Sequence, residues 1–173
     1  MNLRPLQSSD VELVAGWLSV PETGQWLDFG PGHRPPSAAL LAVMARGRSQ
    51  FMRVFTPDES DEPIGVVSLA GVDPGFRTAM LWYALGDKRF SGRGCTTRAV
   101  SKLLTLGFRE LGLHAVNAWA VDANAASVRV LENNRFRYAG RQRRCHYVDG
   151  QAHDRLLFDL LADEHVEVIH AGE

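Results

Sequence analysis

The stretch from Thr78 to Val121 constrains the fold more than any other. "TAMLWYAL" (78–85) is rich in aromatic and branched residues and reads as a strand. A glycine-punctuated loop follows, "FSGRGCTT" (90–97). Beyond it, Ala99, Val100, Leu103, Leu104, Phe108 and Leu111 share one helical stripe, and Arg98, Lys102, Thr105 and Arg109 take the opposite face. Gly112 stands where a helix stop belongs, and "LHAVNAWAV" (113–121) is another strand. Strand, loop, amphipathic helix and strand make a βαβ-like unit, which requires a sheet with a helix packed on its face.

The flanking segments extend that sheet. "LRPL" (3–6) reads as a short strand. The helix after it repeats Val11, Leu13, Val14, Trp17 and Leu18 at helical spacing, with Ser9 and Glu12 spaced as a capping box. A second helix is expected over Pro36–Arg46. "FMRVFT" (51–56) and "IGVVSLAGV" (64–72) precede the 78–85 strand as an antiparallel meander, with "DPGFR" as a turn. Downstream, "NAASVRVLENN" (124–134) is a helix, and "AGRQRRCHYV" and "DRLLFDLL" are strands joined by Asp149-Gly150, a strong hairpin signal. The expectation is a single α/β domain over 1–173, with a mixed, mostly antiparallel sheet of about seven strands and a flexible tail from about 165. The glycine- and proline-rich "FGPGHRPPS" (29–37) reads as a loop inside that domain rather than a linker.

Bulk properties exclude several functions. Nineteen basic residues against twenty acidic ones leave a net charge of −1, which favours neither nucleic acid nor an anionic membrane as partner. Arg141, Arg143 and Arg144 form the one basic cluster and read as a solvated strand face. Two cysteines, Cys95 and Cys145, suit neither a disulfide framework nor a metal site, so no metal is expected. The N-terminal residues lack a signal-peptide core, and no apolar run approaches the ~20 residues of a membrane helix. The expected setting is a reduced cytoplasm.

The loop carries the chemistry. Gly92 and Gly94 let the backbone approach a ligand, the first-turn N–H groups of the following helix point at it, and Arg93 adds positive charge. That suits a pyrophosphate. The loop lacks the Gly-Lys-Ser/Thr ending of a triphosphate P-loop, and Thr97 stands where a dinucleotide fingerprint needs its third glycine.

Taken in order, three motifs resemble the GNAT superfamily of N-acetyltransferases, most closely the branch of ribosomal-protein N-terminal acetyltransferases. "LRPLQSSDVELVAGWLS" is similar to that family's opening strand and helix, "KRFSGRGCTTRAV" to its acyl-CoA pyrophosphate loop, and "NAASVRVLENNRFRYAG" to its next signature; "HDRLLFDLL" resembles the closing strand of the branch. The resemblance spans nearly the whole chain. It implies a sheet splayed in the middle and acetyl-CoA as cosubstrate. It also implies an amine acceptor, either a small molecule or a peptide N-terminus. Dimers are common in that family.

Site residues follow by position. Ser91, Gly92, Arg93, Gly94, Cys95 and Thr96 occupy the family loop, with Ser91 in place of the usual Gln or Arg. Tyr83, Ala84 and Leu85 occupy the splayed strand end whose backbone binds the pantetheine arm and the oxyanion, and Asn124 faces that arm from the other side. The usual acid, a tyrosine seven residues after the Asn, is Leu131 here. Ser127 matches the group proposed instead in the ribosomal-protein branch. Trp119 replaces the glutamate of many members. His146 becomes the expected general base, an imidazole matched to an α-amine at neutral pH, with Asp73, Asp122 and a water relay as competitors. Cys95 is expected to pack rather than react. Trp17, Trp26, Trp82 and Trp119 are shared between core and acceptor pocket. The alternative is a non-catalytic acyl-CoA-binding module on the same fold.

Overall fold

The computed structural model describes residues 1–30 and 34–168. Seven strands form one sheet in the order β1-β2-β3-β4-β5-β7-β6. They are β1 (Asn2–Pro5), β2 (Gln50–Thr56), β3 (Gly65–Asp73), β4 (Thr78–Leu85), β5 (Ala115–Val121), β6 (Arg137–Val148) and β7 (Gln151–Leu161). Every neighbouring pair is antiparallel except β4 and β5. The helices are α1 (Val11–Ser19), α2 (Pro21–Gly24), α3 (Ala38–Arg46), α4 (Cys95–Arg109) and α5 (Ala125–Asn133). Asp149 and Gly150, at φ 50° and 76°, turn β6 into β7 as their dipeptide predicts.

Two apolar layers sandwich the sheet. Successive residues of a strand face opposite ways, and β3 is hydrophobic on both faces because both are covered. Val67 and Leu69 join Ala99, Val100, Leu103 and Leu104 of α4 on one side. Val66 joins Val14 and Leu18 of α1 and Leu41 of α3 on the other. The same alternation sends Tyr83 of β4 towards α4 and α5, and Trp82 and Ala84 towards α1 and α3. Helix α4 lies close to the sheet at Gly107, where an added Cβ would stand 2.6 Å from Leu69 Cδ1.

Two expectations change. The start of α1 is organised by Asp10 rather than by Ser9 and Glu12. A 3₁₀ turn (Ser8–Asp10) precedes the helix, and the Asp10 carboxylate accepts the Gln7 amide at 2.8 Å and the Arg4 guanidinium at 2.6 and 3.0 Å. Asp10 is buried and Ser9 exposed, so the paired carboxylate determines the geometry. The expected tail is docked over its first four residues. The Ser101 hydroxyl accepts the Val168 amide at 2.7 Å, Thr105 Oγ1 contacts His165 Nε2 at 2.8 Å, and the His165 ring tilts against Phe108. Residues 169–173 lie outside the described residues, as do 31–33 of the "FGPGHRPPS" loop.

Candidate active site

The site begins where the sheet splits. Strands β4 and β5 pair only at Thr78–Ala115, Ala79–Val116 and Met80–Asn117. Beyond Met80, β4 stays with β3 and β5 stays with β7, so a gap opens between them. The Gly86 amide bonds the Ile64 carbonyl at 2.9 Å. Alternation along the strand then turns the N–H and C=O groups of Leu81, Tyr83 and Leu85 to the open side. Of the three predicted backbone contributors, Tyr83 and Leu85 present those groups to the gap, whereas the Ala84 amide faces β3.

The loop after β4 has the local geometry its glycines imply. Gly92 and Gly94 have φ of 73° and 68°, the left-handed region. Gly94 is the N-cap of α4 and supplies no side-chain cap, which leaves the first-turn amides of α4 to a ligand. Ser91, Gly92, Gly94, Cys95 and Thr96 line a cleft of about 980 Å³ that runs along the split. Arg93 is not among its lining residues. Its guanidinium lies over the Phe90 ring at 5.4 Å. Two cations that motif reading missed line the cleft instead, Lys88 and Arg129. Lys88 Nζ donates to the Leu85 carbonyl at 2.9 Å, and burial holds its pKa below the ordinary lysine value. Cys95 is buried, with Arg98 Nη2 3.5 Å from its sulfur.

The first turn of α5 closes the gap from the opposite side. Asn124 caps the helix, its Oδ1 accepting the Ser127 amide at 3.1 Å, and the residue lines the cleft. Ser127 Oγ lies 2.7 Å from the Tyr83 hydroxyl, which also donates to the Ser127 carbonyl at 3.1 Å. Burial, partly offset by the bond to Ser127, pushes the Tyr83 pKa well above the ordinary phenol value, so the phenol keeps its proton. Leu131, at the position of the absent tyrosine, is fully buried in the core. The sequence reading used only the backbone of Tyr83. The signal for its side chain was present in the alternation of β4, which places residue 83 on the face that α5 covers.

An acetyltransferase (GNAT) domain model matches residues 1–137. The chain belongs to the GNAT acetyltransferase family. Over 170 residues it is 37% identical to YdaF of Bacillus subtilis strain 168, a protein that carries the name of a ribosomal N-acetyltransferase; the match covers 95% of this chain and 92% of YdaF. Mycobacterium smegmatis RimJ, solved with CoA-disulfide, superposes with a TM-score of 0.77 at 25% identity, over 94% of this chain and 82% of RimJ. Spermidine N-acetyltransferase of Vibrio cholerae, solved with CoA and spermine, has a TM-score of 0.82 over 94% and 96% of the two chains; at 17% identity that likeness concerns the fold alone.

In this GNAT domain the other end of the cleft is assembled from distant segments. Trp26, Phe29 and Arg34 come from the region between α2 and α3, Trp119 from β5 and Arg155 from β7. Arg155 links β7 to two of these segments. Its Nη2 binds Asp28 Oδ2 at 2.8 Å, its guanidinium lies 4.2 Å over the Trp119 ring, and it donates to His146 Nδ1 through Nη2 at 3.1 Å. His146 is 7% exposed, and its Nε2 lies 2.6 Å from the Gln25 carbonyl. Arg155 is a donor only and a carbonyl an acceptor only, so Nδ1 carries the lone pair and Nε2 the hydrogen. Both ring nitrogens are occupied, and His146 is not among the residues lining the cleft. The competing carboxylates are also engaged. Asp122 pairs with His153 at 3.0 Å, and Asp73 accepts the Gly75 and Phe76 amides in the β3–β4 turn. Among the described residues no cluster of His, Cys, Asp and Glu suits a metal ion, and no helix is long and apolar enough to cross a membrane.

Proposed function

We propose that the protein transfers an acetyl group from acetyl-CoA to a primary amine by direct attack within a ternary complex. The observation that carries this reading is the open edge of β4 facing the first turn of α5, with the uncapped N-terminus of α4 at one end. The amides around Gly92, Gly94 and Thr96 and the first turn of α4 would hold the pyrophosphate, with Lys88 and Arg129 supplying charge. The outward N–H and C=O groups of Leu81, Tyr83 and Leu85 would pair with the pantetheine amides as an added strand does, and Asn124 Nδ2 would reach the same arm. An outward β4 amide would receive the negative charge that develops on the carbonyl oxygen.

The reaction forms a C–N bond, breaks a C–S bond, moves a proton off the amine and leaves a thiolate. Ser127 Oγ would donate a hydrogen bond to the departing sulfur. Tyr83 Oη, 2.7 Å from the same Oγ, holds that hydroxyl in place. Neither group needs to lose its proton, because a thiol is more acidic than either. His146 serves in this reading as a positioning residue that holds Arg155 and Gln25, and the amine proton leaves through water. An α-amine, with a pKa of roughly 7.7–8.0, is neutral often enough near pH 7.5 for that route.

Isothermal titration with acetyl-CoA and CoA, followed by detection of released CoA with an amine panel, tests the reading. Absence of binding at high micromolar acetyl-CoA removes it. Binding without turnover of any amine would instead support a non-catalytic acyl-CoA module.

A further inference from the structure

The charges around the acceptor end bear on what kind of amine enters, given the transferase reading above. Among the described residues lining the whole cleft, the cations are Arg34, Lys88, Arg129 and Arg155, and the carboxylates are Glu22 and Asp28. Asp28 is bound to Arg155. The cleft is also lined by Trp26, Phe29, Trp119, Leu40 and Met44.

A polyamine brings several ammonium groups. One must be neutral to attack, and each of the others, once taken from water, needs a carboxylate or an equivalent partner. Aromatic faces can hold a cation, but only by about 0.5–2 kcal/mol each. The Trp119 face is already covered by the Arg155 guanidinium. An incoming second ammonium would therefore meet a resident cation at one aromatic wall, with Asp28 already paired to Arg155 and Glu22 already facing the charge of Lys88. A flat apolar group meets neither penalty and removes apolar surface from water against Trp26 and Phe29.

We infer that the acceptor is a primary amine attached to an uncharged apolar or aromatic body, and that polyamines are poor substrates. The same chemistry is offered by an arylalkylamine and by the N-terminus of a peptide whose first residues are apolar. The inference concerns the acceptor alone and leaves acetyl-CoA binding untouched.

The experiment compares kcat/KM for 2-phenylethylamine, an Ala-Phe-Gly amide peptide and spermidine, with saturating acetyl-CoA and detection of CoA. At least one of the first two should exceed spermidine by about tenfold or more, the worth of one buried aromatic contact. Which of them does so identifies the source of the amine. Trp26→Ala should raise the KM for the preferred amine about fivefold while the KM for acetyl-CoA stays within about twofold. Spermidine turned over as well as or better than both overturns the inference and leaves the transferase reading standing. No CoA release from any of the three, with acetyl-CoA bound in the calorimeter, overturns both.

Discussion

The two ends of the cleft are made in different ways. In the proposed reading the acyl-CoA end is backbone: left-handed glycines, the uncapped first turn of α4 and the unpaired edge of β4. The acceptor end of that reading is side chains, from Trp26, Phe29, Arg34, Leu40, Met44, Trp119 and Arg155, with Arg155 bonded to Asp28 and His146. Backbone sites tolerate changes of side chain as long as dihedral angles survive. Side-chain sites tolerate changes of backbone but lose their shape with one truncation. A mutation should therefore affect one substrate or the other, according to which end it touches.

Ser127→Ala lies at the junction and has the largest expected effect. Its kcat should fall about 100-fold, the scale of losing one donor to a developing charge, while the acetyl-CoA Kd stays within about threefold. Tyr83→Phe, which removes only the support of that hydroxyl, should fall about tenfold in kcat with the same unchanged Kd. Equal loss of binding and turnover would make Ser127 a cofactor contact instead.

Gly94→Val tests the backbone end. A branched residue at φ 68° is strained whatever the space around it, by roughly 1–3 kcal/mol. The loop should relax out of register and weaken acetyl-CoA binding by about 10- to 100-fold. The acceptor KM, measured at saturating acetyl-CoA, should stay the same. Arg155→Met tests the other end and should give the mirror image: an acceptor KM raised about fivefold to tenfold, with the acetyl-CoA Kd unchanged in calorimetry. His146→Ala should follow Arg155→Met in kind and keep the shape of the pH–kcat/KM profile. Loss of the acidic limb would restore His146 as the base.

Asp10→Asn lies away from both ends and should change stability alone, by about 1–3 kcal/mol. The Arg4 hydrogen bond holds the Asp10 pKa below its ordinary value, against desolvation. A carboxylate depressed in the folded state stabilises above its unfolded pKa of ~3.9 and loses that contribution as pH falls through the folded value. The gap in Tm between wild type and Asp10→Asn should therefore narrow below about pH 4, with both kinetic constants unmoved at neutral pH.

The same contrast explains what could be read from residues. Loop 90–97 was legible because glycine spacing and helix periodicity are local properties, and each strand from β1 to β7 announced itself by alternation or by turn residues. The placement of the Arg93 guanidinium over the Phe90 ring was not, since it depends on side-chain contacts within the loop. Neither was the network of Arg155, whose partners sit 9 positions away at His146 and 127 away at Asp28. His146 was read as a base from its place on a strand and the match of its imidazole to an α-amine, and its bonds to Gln25 and Arg155, far apart in the chain, lay outside that reading. Asn124 was read as facing the pantetheine arm; it lines the cleft and also caps α5 through Oδ1, a bond set by the local turn.

Cys95 and Cys145 differ in one respect that becomes useful at the bench. Cys145 is exposed on β6, while Cys95 is buried at the start of α4, under Arg98 and beside the glycine loop. A thiol-reactive chromophore should therefore modify the protein in two phases, a fast one at Cys145 and a slow one at Cys95. Cargo seated on the loop should slow the second phase and leave the first alone. The lag between the two is then a clock for how long the loop stays covered, readable before any acceptor has been found.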